Sequence, residues 1–207
     1  MQQLKIKTIQ GRQMRITYSA LMVSGLLALT FLQGCATKIK ASSAQNPAPT
    51  EAFSNFGRIV VKPVVFKSGY AGDYAGLAKI QENLKKDLAP SLATWNGRAT
   101  NGRTLVIEPI VEELQFKHGA SRVLLGPLAG SSGVLMRVKI SDANGALVSS
   151  PEFFQRADAW SAGWVMGVSD NLMLVRVASL TSRYIIANYG HAHGGPTGAD
   201  DKAIAVQ

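Results

Sequence analysis

Gly133 to Ser141, GVLMRVKIS, with the turn residues Asp142-Ala143-Asn144-Gly145 behind it, decides the fold class of this 207-residue chain. Successive side chains of a strand point to opposite faces, and here Val134, Met136, Val138 and Ile140 fall on one face while Arg137, Lys139 and Ser141 fall on the other. That is a half-buried strand. Asp142 to Gly145 then forms a hairpin turn, with Gly145 able to take positive φ, and Ala146 to Phe154 returns as the partner strand.

Working outward, Thr104 to Phe116 (TLVIEPIVEELQF) is a long strand whose alternation shifts partway, which one bulge reconciles. Arg58 to Phe66 (RIVVKPVVF) is short and β-branched; Pro63 donates no ladder hydrogen bond and implies an edge position or a bulge. Between these two runs, Leu77, Ile80, Leu84 and Leu88 recur at spacings of three and four, with Asp73 placed to cap the helix. Pro90 ends or kinks that helix, and Asn96-Gly97 and Asn101-Gly102 supply turns. A second helix runs from about Asp170, capped by Ser169, with Met173, Val177, Leu180 and Tyr184 on its apolar stripe. The order is β-α-β-β-β-α. It predicts an α/β protein of the α+β kind, one layer of mostly antiparallel strands with the helices packed on one face.

The flanks read differently. Lys5, Lys7, Arg12 and Arg15 precede an uncharged stretch from Ile16 to Leu32, the order of an export signal. The densest apolar run, Ala20 to Leu32, spans about 20 Å as a helix against a hydrocarbon core of roughly 30 Å, which is short for a membrane crossing. Where that run ends, Leu32-Gln33-Gly34-Cys35 resembles the bacterial lipobox. The resemblance implies that a diacylglycerol is placed on the Cys35 thiol and that the chain is cut between Gly34 and Cys35. It also implies acylation of the freed amine. Gln33 departs from the small residue more usual at its position. Two or three acyl chains hold a protein firmly to a bilayer, so the expected partner is the membrane, reached through Cys35. Ala36 stands where an aspartate would resemble the inner-membrane retention signal, so in a Gram-negative host the expected location is the outer membrane, facing the periplasm.

The domain boundaries follow: a signal peptide over 1–34, a flexible tether over 35–55, an α/β domain over 56–189 and a disordered tail over 190–207. Removing the signal leaves 18 basic residues against 13 acidic, so the net charge falls from +9 to +5. With 46% hydrophobic and 17% charged residues the chain suits a packed core, and no nucleic-acid partner is assigned. A lone cysteine excludes an intramolecular disulfide and a multi-cysteine zinc site.

No catalytic, cofactor or metal site is assigned. The glycine-rich stretch Gly119 to Gly133 lacks the lysine of a phosphate loop, since none follows Gly126 or Gly130 before Lys139. Gly130-Ser131-Ser132-Gly133 lacks the glycine spacing of a nucleophile elbow. His191 and His193, with Asp200 or Asp201, have ligand chemistry but sit in the expected tail, and His118 reads as a surface histidine. Glu112, Glu113, Asp158 and Asp170 are the acids available for a carboxylate pair, but Glu112 and Glu113 are strand neighbours that point apart. Trp160, Trp164 and Met166, in a loop with Gly163 and Gly167, read as packing residues, with contact to a sugar or a partner protein as the alternative.

The segment Leu105 to Tyr189, carrying RVLLGPLAGSSG at Arg122 to Gly133, the strand Val134 to Ile140, the Asp142 to Gly145 turn and the last amphipathic helix, resembles a family of uncharacterised bacterial lipoproteins defined only by a domain of unknown function. That family brings no catalytic residues with it. The expectation is a lipid-anchored envelope lipoprotein with a non-catalytic binding or assembly domain and an envelope protein or polymer as partner. A peptidoglycan or other polymer-binding module and an envelope hydrolase are the alternatives.

Overall fold

The structure is a computed structural model that describes residues 39–99, 101–116, 132–157 and 168–199. It divides into Met1–Ala36 and Thr37–Gln207, and every described residue belongs to the second unit. In chain order the elements are β1 (Gln45–Asn46), a 3-10 turn (Phe53–Asn55), β2 (Arg58–Val61), β3 (Val65–Phe66), α1 (Tyr74–Asn96) and β4 (Thr104–Gln115). They continue with β5 (Ser132–Asp142), β6 (Leu147–Ser149), β7 (Glu152–Ala157), α2 (Val168–Ala187) and β8 (Gly195–Pro196).

β4 and β5 are the central antiparallel pair of the main sheet. β2 and β3 run parallel to β4 on one side, as the intervening helix α1 requires, and β6 and β7 run antiparallel to β5 on the other. The sheet is thus mixed but mostly antiparallel, with two helices among the described residues, in agreement with the expected class. The alternation of β5 sets its two faces. Val134, Met136, Val138 and Ile140 are fully buried and join Ile107, Val111 and Phe153 of the neighbouring strands. Against them pack Ile80, Leu84 and Leu88 of α1 and Met173, Val177, Leu180 and Ile185 of α2. Both helices therefore cover one face.

Among the described residues the opposite face is helix-free. Arg137 and Lys139 of β5 stand there beside their register partners Glu152 and Glu108. The expected bulge lies at Glu112, because Val111 faces Met136 while Glu113 already faces Leu135. Prolines break the other runs. Pro63 separates β2 from β3, and the gap falls opposite Pro109, which lies between the paired residues Ile107 and Ile110 of β4. Two prolines that donate no ladder hydrogen bond thereby fall at the same break in the pairing of β2 and β3 with β4. Pro151 likewise divides the expected strand Ala146 to Phe154 into β6 and β7.

Asp73 caps α1 as expected, its Oδ1 accepting from Gly76 N at 2.7 Å. Pro90 does not end the helix, which runs on to Asn96. Tertiary contacts hold the last turns: Trp95 is buried and stacks on Tyr189 at 4.2 Å, and the Asn96 carboxamide bonds both backbone groups of Ile59. α2 starts at Val168, ahead of the expected cap Ser169.

The largest departures are at the flanks. The tether expected over 35–55 is docked from Ile39 onward, and the tail expected to be disordered from 190 is ordered through residue 199. Ile39 is 2% exposed and packs with Ala41, Leu135 and Phe154 in a second apolar cluster. Burying one such side chain contributes about 1.5–3 kcal/mol. Phe53 is fully buried in the main core. β1 pairs with β8, and Asn188 collects the tail by accepting from His193 N and Gly194 N and donating to Gly194 O. Gly194, at φ +80, brings its Cα so close to β1 that an added Cβ would meet Asn46 O at 2.3 Å.

Candidate functional site

The described residues of greatest chemical interest lie where the amino-terminal segment meets the helix-free face. Arg137 on β5 donates from Nε to Glu112 Oε1 at 2.9 Å and from Nη2 to Glu152 Oε2 at 3.2 Å. The bulge makes the first contact: the extra residue in β4 turns the Glu112 side chain toward Arg137. Glu152 is 5% exposed. Its other oxygen accepts from the backbone N of Ser42 at 2.5 Å and from the Ser42 hydroxyl. Burial pushes the Glu152 carboxyl up, but the Ser42 hydrogen bonds and the Arg137 charge outweigh it and hold the group below its ordinary value.

Next to this clamp, Asn46 imitates a strand. Its Nδ2 donates to Glu152 O at 2.9 Å and its Oδ1 accepts from Glu152 N at 2.8 Å. Two residues on, Phe154 N donates to Thr197 O, while Thr197 N donates to Ala44 O and Thr50 N to Val148 O. The edge formed by β6 and β7 is therefore closed by the segments around Asn46 and Thr197. The far edge uses the same device, because Asn96 pairs with Ile59 through both ends of its carboxamide. Open sheet edges invite pairing with other chains, and two asparagines cover these.

Beyond Asn96 the β2 edge borders an open groove of about 320 Å³, lined by Val61, Pro63, Gln81, Leu84, Lys85 and Leu88 among others. The lining is mostly apolar, with one carboxamide, one cation and no carboxylate. The two acids that Arg137 brings together belong instead to the clamp, where both oxygens of Glu152 are engaged and its depressed pKa suits a fixed anion rather than a proton donor.

Of the other acids considered, Glu113 faces Leu135, and Asp170 lies in the first turn of α2. His191 and His193 are exposed, with His193 Nδ1 beside His191 O at 3.0 Å. Among the described residues no group of three or more His, Cys, Asp or Glu is placed to hold a metal ion. Cys35 and Gly34, His118, Asp158, Trp160, Trp164, Met166, Asp200 and Asp201 lie outside the described residues, as does Gly119 to Ser131. No described helix is long and apolar enough to cross a membrane. Sequence reasoning missed Glu152, Ser42, Asn46 and Asn96. The signal available for the asparagines was turn or linker chemistry, which says nothing about a partner more than thirty residues away.

No protein-family model matches this chain, and no curated protein matches it. Among solved structures it is similar to the PelC dodecamer from Paraburkholderia phytofirmans at 16% identity, over 65% of this chain and 93% of that one, with a TM-score of 0.35. It is also similar to a protein described as a "putative lipoprotein" from Caulobacter crescentus CB15 at 19% identity, over 62% of this chain and 86% of that one, with a TM-score of 0.31. Likenesses this low bear on neither mechanism nor partners.

Proposed function

We propose that this chain is a lipid-anchored lipoprotein of the bacterial envelope whose α+β domain binds or assembles other envelope components without catalysis. The observation that carries the reading is Leu32-Gln33-Gly34-Cys35 at the end of an uncharged apolar run with four basic residues before it. A thiol at that place becomes a thioether to diacylglycerol, and cleavage before Cys35 leaves a 173-residue chain, 207 less the 34 of the signal. Acyl chains then hold the domain at the membrane. Ala36 at the second mature position favours the outer membrane in a Gram-negative host. A protein or polymer of the envelope is the expected partner, and the clamp and groove are read as packing and docking features.

Metabolic labelling with a clickable fatty acid tests the anchor. The wild-type chain is expected to carry the label, lose its signal and fractionate with membranes, whereas Cys35→Ala is expected to remain unlabelled and unprocessed. Processing and membrane association of Cys35→Ala indistinguishable from wild type would overturn the reading.

A further inference from the structure

Ile39 is seated on Leu135 and Phe154, and Ser42 is bonded to Glu152, so the first described residues lie against the face of the sheet on which no described helix packs. Only four peptide steps separate Cys35 from Ile39, a reach of at most about 14 Å when fully extended. Had the chain been free up to Phe53, that reach would have been roughly 60 Å. A lipid on Cys35 therefore leaves the helix-free face little freedom to stand away from the bilayer. From these lengths, and resting on the lipid anchor proposed above, we infer that the helix-free face of the sheet is a membrane-apposed surface that lies against phospholipid headgroups, with the helix layer turned away.

The chemistry of that face suits the position. Its acids Glu108, Glu112 and Glu152 are engaged by Lys62, Lys139 and Arg137. Glu113 belongs to the same face. Lys40, next to Ile39, is exposed, and exposed Arg156 lies with its guanidinium 5.7 Å from the Phe154 ring centre, beside the place where Ile39 docks. Both cations are available for lipid phosphate. Val65 and Leu147 are 50% and 58% exposed, and their register partners Ile110 and Ser141 place them on this face too. Long basic side chains and scattered apolar ones are the groups that settle at a headgroup boundary. The charges on the face nearly balance, so the anchor supplies the attraction and the face supplies the orientation.

The test uses the full chain, processed and lipidated in its host and reconstituted into nanodiscs of phosphatidylethanolamine and phosphatidylglycerol that carry a paramagnetic chelate on a lipid headgroup. Because Cys35 is the chain's one cysteine, and is blocked once acylated, single nitroxide labels are introduced through Lys40→Cys and Arg156→Cys on the helix-free face and Lys86→Cys on α1. Relaxation by the chelate is expected to be several-fold stronger at the first two positions than at the third. A long Gly-Ser insertion before Ile39 is expected to reduce that contrast. Mass spectrometry of the amino-terminal peptide separates the two readings: an unacylated Cys35 overturns the anchor and this orientation together. An acylated Cys35 with equal relaxation at all three positions overturns the orientation alone.

Discussion

Replacing Asn46 by alanine removes the group that closes the β7 edge. The Asn46 side chain accepts from Glu152 N at 2.8 Å and donates to Glu152 O at 2.9 Å, and both residues are buried, at 6% and 5% exposure. Each such bond contributes about 0.5–1.5 kcal/mol net, and a buried group left without a partner costs about 1–3 kcal/mol. Losing both bonds at this buried site should therefore cost about 2–4 kcal/mol. In a domain of this size that is a fall in Tm of roughly 5–15 °C. Urea unfolding of the lipid-free chain beginning at Ala36 measures it, and amide exchange shows where the loss falls. Faster exchange is expected first at Glu152 and Phe154, whose N–H groups are bonded to Asn46 and to Thr197 of the tail. Asn46→Asp, which keeps the acceptor but sets a buried carboxylate against Glu152 O, should cost at least as much as Asn46→Ala near neutral pH. A loss for Asn46→Ala below about 0.5 kcal/mol, with unchanged exchange at Glu152, would refute the account of Asn46 as the closure of the β7 edge.

Pro90→Ala should stabilise the domain by about 1–3 kcal/mol, because an exposed interior position of α1 regains a helical hydrogen bond and loses a steric conflict; an unchanged urea midpoint would show that the helix has fully accommodated the proline. Acid should weaken the fold in a defined window. Arg103 donates two hydrogen bonds to Glu51, at 2.8 and 2.6 Å, and with help from Asn55 lowers that carboxyl from 4.5 to about 2. A depressed carboxylate stabilises fully above its unfolded pKa, so this contribution is lost as pH falls from about 4.5 toward about 2, and Glu152, also depressed, adds to the loss. Glu51→Gln should be less stable than wild type near neutral pH and should flatten the decline below 4.5; parallel curves for the two proteins would count against the pair.

Much of the core was legible before any coordinates because its signals are local. The period-two pattern of β5 and the spacings of Ile80, Leu84 and Leu88 each state which face must leave water, and those faces meet. The bulge at Glu112 was legible in kind, since the alternation of β4 could not otherwise be kept. What bulge chemistry could not say was which arginine Glu112 would reach. Pro90 misled in the opposite direction: its local cost is real, but the buried Trp95 and the bonds from Asn96 to Ile59 extend the helix past it.

The sequence by itself determined two things here. Hydrophobic periodicity determined the sheet with helices on one face, and a four-residue pattern around Cys35 assigned the expected anchor. Only the tertiary structure decided where the flanks go. Residues 39–50 and 190–199 are polar and glycine- or proline-rich, with no period to read, because they are held mainly by backbone hydrogen bonds and asparagine carboxamides to a distant strand edge. Backbone groups are the same in every residue, so a segment fixed through them leaves little trace in side-chain pattern. The tether expected over 35–55 is 21 residues long, and docking from Ile39 onward leaves only the four residues 35–38 of it ahead of the docked segment.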